Sequence, residues 1–207
     1  MADKLAQWNW TPNPVSQGAF SGARPPLPSP TADNGAAIFD SDFLDNAGDR
    51  EEFRKGDYQA PQTAQLISPV IDLSDDETVG LPFYQYCRVF EDDSGDNAAP
   101  ASFVEVSPDN WKDWQRFEIK DDIDRNEETS NREQTILDIS GEANNQSEVR
   151  IRFISEGEHY FWMIDDVLIT KLQETNVSIT DSLNPLSAFA YPAEHIKETP
   201  SNLKKLQ

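Results

Sequence analysis

Residues Glu148–Ile154 alternate with a period of two. Val149, Ile151 and Phe153 fall on one side, Arg150 and Arg152 on the other. Successive side chains of an extended strand point to opposite faces, so this run demands a strand with one apolar and one wet face. In Leu81–Phe90, Leu81, Phe83, Gln85, Cys87 and Val89 share one side, and Tyr84, Tyr86, Arg88 and Phe90 the other. Both sides are largely apolar, which predicts a central strand. Further strands are predicted at Ala36–Phe43, Thr63–Leu73, Ser102–Ser107, Trp114–Ile119, Ile136–Ser140 and Tyr160–Thr170, with Pro69 marking an edge or a bulge. Turn residues separate them and no stretch keeps a 3.6-residue period. The expected fold is all-β, a two-sheet sandwich or barrel.

Nine of the fourteen prolines fall near the two ends. Residues 1–35 centre on Arg24-Pro25-Pro26-Leu27-Pro28-Ser29-Pro30, which suits neither helix nor interior strand. Trp8, Trp10 and Phe20 make this leader too apolar for a plain linker, so they are expected to pin it onto the domain. The sandwich is expected over 36–170. Beyond it Asn184-Pro185 and Tyr191-Pro192 break the pattern, and 171–207 reads as a linker or the start of a following module.

The 207 residues carry 38 acids against 17 bases, a formal net charge of -21. That disfavours nucleic acid, whose backbone is neutralised by Lys and Arg, and anionic lipid. Two readings of the charge stay open: solubility with self-repulsion, or carboxylates that hold a hard cation such as calcium. Cys87 is the single cysteine, so no internal disulfide forms, and its apolar setting predicts a buried, inert thiol. No run of about eighteen apolar residues exists to insert in a membrane. Met1-Ala2-Asp3-Lys4-Leu5 does not read as a secretion signal, which leaves a cytoplasmic protein or a piece of a longer secreted chain.

Four stretches stand out from generic strand. They are Asn34–Asp42, Leu66–Ser74, Phe103–Ser107 with Asn110-Trp111, and Val149–Phe153 leading to Phe161–Ile169 with its Ile164-Asp165-Asp166-Val167. In this order and spacing they resemble the MAM-like, cleaved-adhesin jelly-roll modules of large secreted and surface proteins, notably of Bacteroidetes that use type IX secretion. The likeness covers about residues 8–170. It implies a two-sheet antiparallel jelly-roll sandwich, related to concanavalin-like and galactose-binding-like folds, at the bacterial cell surface or secreted. Such modules contact glycans or surface proteins, as part of a larger chain or surface assembly. The resemblance also implies a structural calcium at Asp165 and Asp166, with Asp40 and Asp42 as partners from the first strand.

The residues themselves leave that site open. Apolar neighbours flank Asp165 and Asp166, and adjacent strand residues face opposite ways, so at least one carboxylate points inward. A buried carboxylate needs a cation, an arginine or several N–H donors; Arg150, Arg152 and backbone donors compete with Ca2+ for the role. The candidate ligand-binding rings are Trp111, Trp114, Tyr84 and Tyr86, with Tyr160 beside them. The competing fate of such rings is burial in the core. The loops 45–62, 91–100 and 121–133 are the other expected recognition surface.

No catalytic residue is nominated. The chain has no Gly-rich phosphate loop, His-Glu-x-x-His, Gly-x-Ser-x-Gly or Cys-x-x-Cys, and only two histidines, His159 and His195. The expectation is a non-catalytic extracellular binding module. The alternatives are a structural subunit of a surface assembly, or a concanavalin-like glycoside hydrolase working through paired carboxylates.

Overall fold

In the computed structural model the described residues are 6–59, 61–90, 101–119, 123, 126–130, 133–157 and 160–172. Eleven strands lie among them. They are β1 (Asn9–Thr11), β2 (Ala36–Asp40), β3 (Gln62–Ile67), β4 (Ile71–Leu73), β5 (Val79–Arg88), β6 (Ala101–Ser107), β7 (Gln115–Glu118), β8 (Glu133–Asp138), β9 (Gln146–Gly157), β10 (Phe161–Asp165) and β11 (Thr170–Lys171). Two short helices interrupt them, α1 (Ser41–Asn46) and α2 (Ser140–Ala143). The first sheet runs β1-β2-β10-β5-β11, with β8 also on β5; the second runs β3-β9-β6-β7, with β4 also on β9. Every strand pair among the described residues is antiparallel. The protein is an all-β sandwich of two packed sheets.

The two alternating runs supply the centre of each sheet. On the inner faces Leu81, Phe83, Cys87, Trp162 and Ile164 meet Val104, Val106, Val149, Ile151 and Phe153 in one buried cluster. Phe83 stands edge-on to Phe153, with ring centroids 5.2 Å apart. The Trp162 and Gln85 side chains are paired: Trp162 Nε1 donates to Gln85 Oε1 at 3.0 Å, and Gln85 Nε2 donates to Glu133 Oε1 and Thr135 Oγ1, both at 2.7 Å. Satisfaction of this kind removes the 1–3 kcal/mol or so that an orphaned buried polar group costs.

The other face of the first sheet is also apolar, and the leader covers it. Ile38, Met163 and Tyr86 stand in one register row across β2, β10 and β5. Leu27 packs on them and on Ala36 and Phe161, and is fully buried. The leader also contributes β1, where Asn9, Trp10 and Thr11 pair with Ile38, Ala37 and Ala36. Trp8 packs edge-on to Trp162 at 5.3 Å, whereas Trp10 is largely exposed.

Several expected boundaries move, and the expected strand Thr63–Leu73 divides into β3 and β4. The strand expected at Ala36–Phe43 stops at Asp40, whose side chain accepts the Phe43 N–H at 3.2 Å and starts α1. The strand expected at Tyr160–Thr170 runs along β5 but breaks after Asp165, because Asp166 takes a positive φ of 49°. The strand expected at Ile136–Ser140 begins earlier, at Glu133, and yields to α2. Residues 173–207, and with them nearly all of the expected linker or following module, lie outside the described residues, as does the loop 91–100.

Truncating Leu27 to Ala should cost about 2–5 kcal/mol, the range for emptying a filled apolar site. A urea titration reads this directly. An unchanged midpoint would mean that the leader is not part of the folded unit.

Candidate functional site

The four aspartates nominated from the sequence separate into two pairs, and both pairs hold the leader. Asp40 is opposite Phe161 on β10, and Asp165 lies four residues further along that strand, about 13 Å at the rise of a strand. Asp40 Oδ2 accepts the Gln17 N–H at 2.7 Å, and Oδ1 accepts Ser16 Oγ at 3.0 Å. Asp42 is fully buried. Its Oδ2 accepts the N–H groups of Phe20 at 2.8 Å and Ser21 at 2.6 Å and the Ser21 hydroxyl at 2.9 Å, while Oδ1 is bonded to Asn46 Nδ2. A Cβ at Gly18 would collide with this carboxylate, so glycine is required there. At the far end of the leader, the Ser29 hydroxyl donates to Asp165 Oδ2. The Thr31 hydroxyl donates to Asp166 Oδ1 at 2.7 Å.

In these surroundings N–H and O–H donors meet the carboxylates of Asp40 and Asp42. Calcium asks for six to eight converging oxygens, whereas Asp40 and Asp42 are ringed by N–H and O–H groups. Among the described residues no group of three or more His, Cys, Asp or Glu side chains is placed to hold a metal. The two pairs do not form the single site that the resemblance implies.

Burial pushes the Asp40 carboxyl up to about 6, against the opposing pull of its donors Gln17, Phe43 and Ser16; the nearby Asp42 adds to the rise. A group whose pKa is higher in the folded than in the unfolded chain stabilises fully below its ordinary value and loses that contribution as pH rises through the folded value.

Of the four nominated rings, two come together. Tyr86 is core, packed edge-on to Phe161 at 5.2 Å, and burial with the charge of Glu128 pushes its phenol up to about 12. Tyr84 is half-buried beside Asp165 on the same face. Trp111 and Trp114 lie in the loop from β6 to β7, with ring centroids 5.5 Å apart at 67°. Trp111 is 43% exposed and Trp114 half-buried. The loop is shaped by Asp109, whose Oδ1 accepts the N–H groups of Lys112 at 3.1 Å and Asp113 at 3.0 Å, and by Ser107 Oγ, which accepts the Trp111 N–H at 3.0 Å. Asn110 and Trp111 take positive φ values of 54° and 89°. Asparagine tolerates that region; a bulky tryptophan is strained in it.

An arginine ladder on the outer face of the second sheet supports the pair. Arg150 sits over Trp111 at 4.9 Å and donates to Asn110 Oδ1 at 2.6 Å and to the Ser68 carbonyl at 3.0 Å. Arg152 sits over Trp114 at 3.9 Å. Register places Glu105 between Arg152 and Arg116. Glu105 is nearly buried; its Oε2 accepts Arg152 Nε at 2.7 Å, and its Oε1 accepts Arg116 Nε at 3.0 Å and Nη2 at 2.8 Å. Arg116 in turn covers the Phe103 ring at 3.5 Å. Sequence reading placed Arg150 and Arg152 on a wet face but missed Glu105 and Arg116 as their partners. The strand register supplies that link.

A comparison with the sequence patterns of protein families finds no match to this chain, and neither does a comparison with characterised proteins.

Two measurements check the reading of the acids. Asp40→Asn should remove a fall in unfolding free energy between about pH 4 and pH 7, worth about 3 kcal/mol for a two-unit shift, while keeping a competent helix cap. Denaturant titrations at both pH values give the difference. Excess chelator should leave the melting temperature unchanged; a drop of several degrees, reversed by calcium, would restore a cation to the site.

Proposed function

We propose that this chain is a non-catalytic binding module, a jelly roll of the MAM-like, cleaved-adhesin kind, which acts outside the bacterial cell as part of a larger chain or assembly. Its ligand is a glycan or a surface protein, taken at Trp111 and Trp114. The observation that carries this reading is the ring pair itself. Trp111 is held at positive φ, two-fifths exposed, braced by an arginine and set beside a second tryptophan. Backbone strain collects at binding sites, and rigid aromatic anchors bind at low entropic cost. A glycan suits the pair best, since flat rings stack on the apolar face of a sugar.

A glycan array run beside a pull-down from native surface extract separates the two ligand classes. Trp111→Ala should weaken capture of the ligand about tenfold or more, the loss expected of a central aromatic anchor. The melting temperature should change little, because the ring is exposed. Capture that survives removal of both tryptophans would sink the proposal. Turnover of a polysaccharide abolished by a single Asp or Glu substitution would replace it with a hydrolase.

A further inference from the structure

A concavity lies at the other end of the sandwich. Arg150, beside Trp111, and Gly157 are seven residues apart on β9, about 24 Å of strand, and Tyr160 comes three positions later in the chain. There Phe20 of the leader, Phe53 of the loop after α1, Phe90 beyond β5 and Tyr160 before β10 enclose a hollow of about 320 Å3. That is at the lower end of the volumes that hold small ligands. Phe20 stands edge-on to Phe53 at 5.5 Å, and Phe90 edge-on to Tyr160 at 5.7 Å.

The buried acids build these walls. Asp42 holds the Phe20 N–H. Asp45, fully buried, accepts the N–H of Arg54, next to Phe53, at 2.9 Å, and its carbonyl accepts the Gly56 N–H at 2.7 Å. Arg88 stacks on Tyr160 at 3.9 Å and donates to the Ser21 carbonyl at 2.8 Å, which ties the leader to the rim. The leader, the loop of Phe53 and the segment of Tyr160 are thus tied together around the hollow.

Its chemistry goes beyond apolar walls. Arg50 is exposed and lies over the Phe20 ring at 5.0 Å. In a chain with 38 acids, no carboxylate among the described residues pairs with its guanidinium. Arg88 adds a second guanidinium, 3.9 Å from a Glu128 carboxylate that Arg24 approaches more closely, at 3.1 Å. Guanidinium groups recognise carboxylates through paired N–H bonds.

We propose that this hollow is a binding site, separate from the Trp111–Trp114 pair, for a six-membered ring that carries a carboxylate. The ring lies among Phe20, Phe53, Phe90 and Tyr160, and the carboxylate pairs with Arg50. Two sources share that chemistry, a hexuronate unit of an acidic polysaccharide and an aryl carboxylate.

Titration of the full chain with methyl glucuronide, benzoate and methyl glucoside, followed by ligand-observed NMR, tests it. At least one carboxylate should bind, with the neutral glucoside about tenfold weaker or worse. Glucuronide binding alone assigns the polysaccharide source, and benzoate binding alone the aryl one. Arg50→Gln and Phe53→Ala, both at exposed positions, should each weaken binding about tenfold, the first by loss of a charge-assisted contact and the second by loss of apolar cover. Trp111→Ala should not, which keeps this site distinguishable from the other. No binding by either carboxylate, equal binding by the glucoside, or an unaltered affinity in folded Arg50→Gln would overturn the proposal.

Discussion

The structure depends on backbone N–H groups given to buried carboxylates. The first sheet has two apolar faces, and only one meets the other sheet. The second is covered by a proline-rich leader whose composition suits neither helix nor interior strand, so its backbone groups need partners from elsewhere. Asp40 and Asp42 take the N–H groups of Gln17, Phe20 and Ser21 at one end, and Asp165 and Asp166 take the hydroxyls of Ser29 and Thr31 at the other. Between these ties lies Leu27, the side chain that seals the row Ile38–Met163–Tyr86. Electrostatic bonds set the path of the leader and apolar burial rewards it.

Much of the sandwich was legible because the period-two signal is local. In Val149–Phe153 and Leu81–Phe90 each residue's side follows from its immediate neighbours, and both runs became sheet centres. The end of β2 was not legible. Whether Asp40 continues a strand or caps a helix depends on donors at Ser16 and Gln17, more than twenty positions away. The break after Asp165 was hidden for a similar reason, since Asp166 turns where Thr31, 135 residues earlier, meets its side chain. The acids were recognised as special, as apolar flanks around a charge must be, but sequence alone left donor and cation as rival partners. Among the rings, Tyr86 and Trp111 look alike in a strand pattern. The register and the positive φ of Trp111 separate them.

The outer face of the second sheet shows how a very acidic chain uses its few bases. Glu105 is shared by Arg116 and Arg152, and those guanidinium groups cover Phe103 and Trp114. A lone buried carboxylate would cost several kcal/mol; set between two arginines it becomes the fixed centre of the face. The arginines sit over the rings at 3.5 and 3.9 Å and so tie the aromatic side chains to the charged centre.

The Ser29–Asp165 bond joins residues 136 positions apart, and β2 at the start of the sandwich pairs with β10 near its end. Contacts this distant are slow to form, because the loop between them must close first. For a chain that emerges from its N-terminus, the leader and β2 appear first and find their seat last. Until residue 165 has appeared, Leu27 and the row beneath it face water. The same closure that completes the fold therefore sets a period during synthesis when a sticky apolar face is open, and the many negative charges around it then serve to hold neighbouring chains apart.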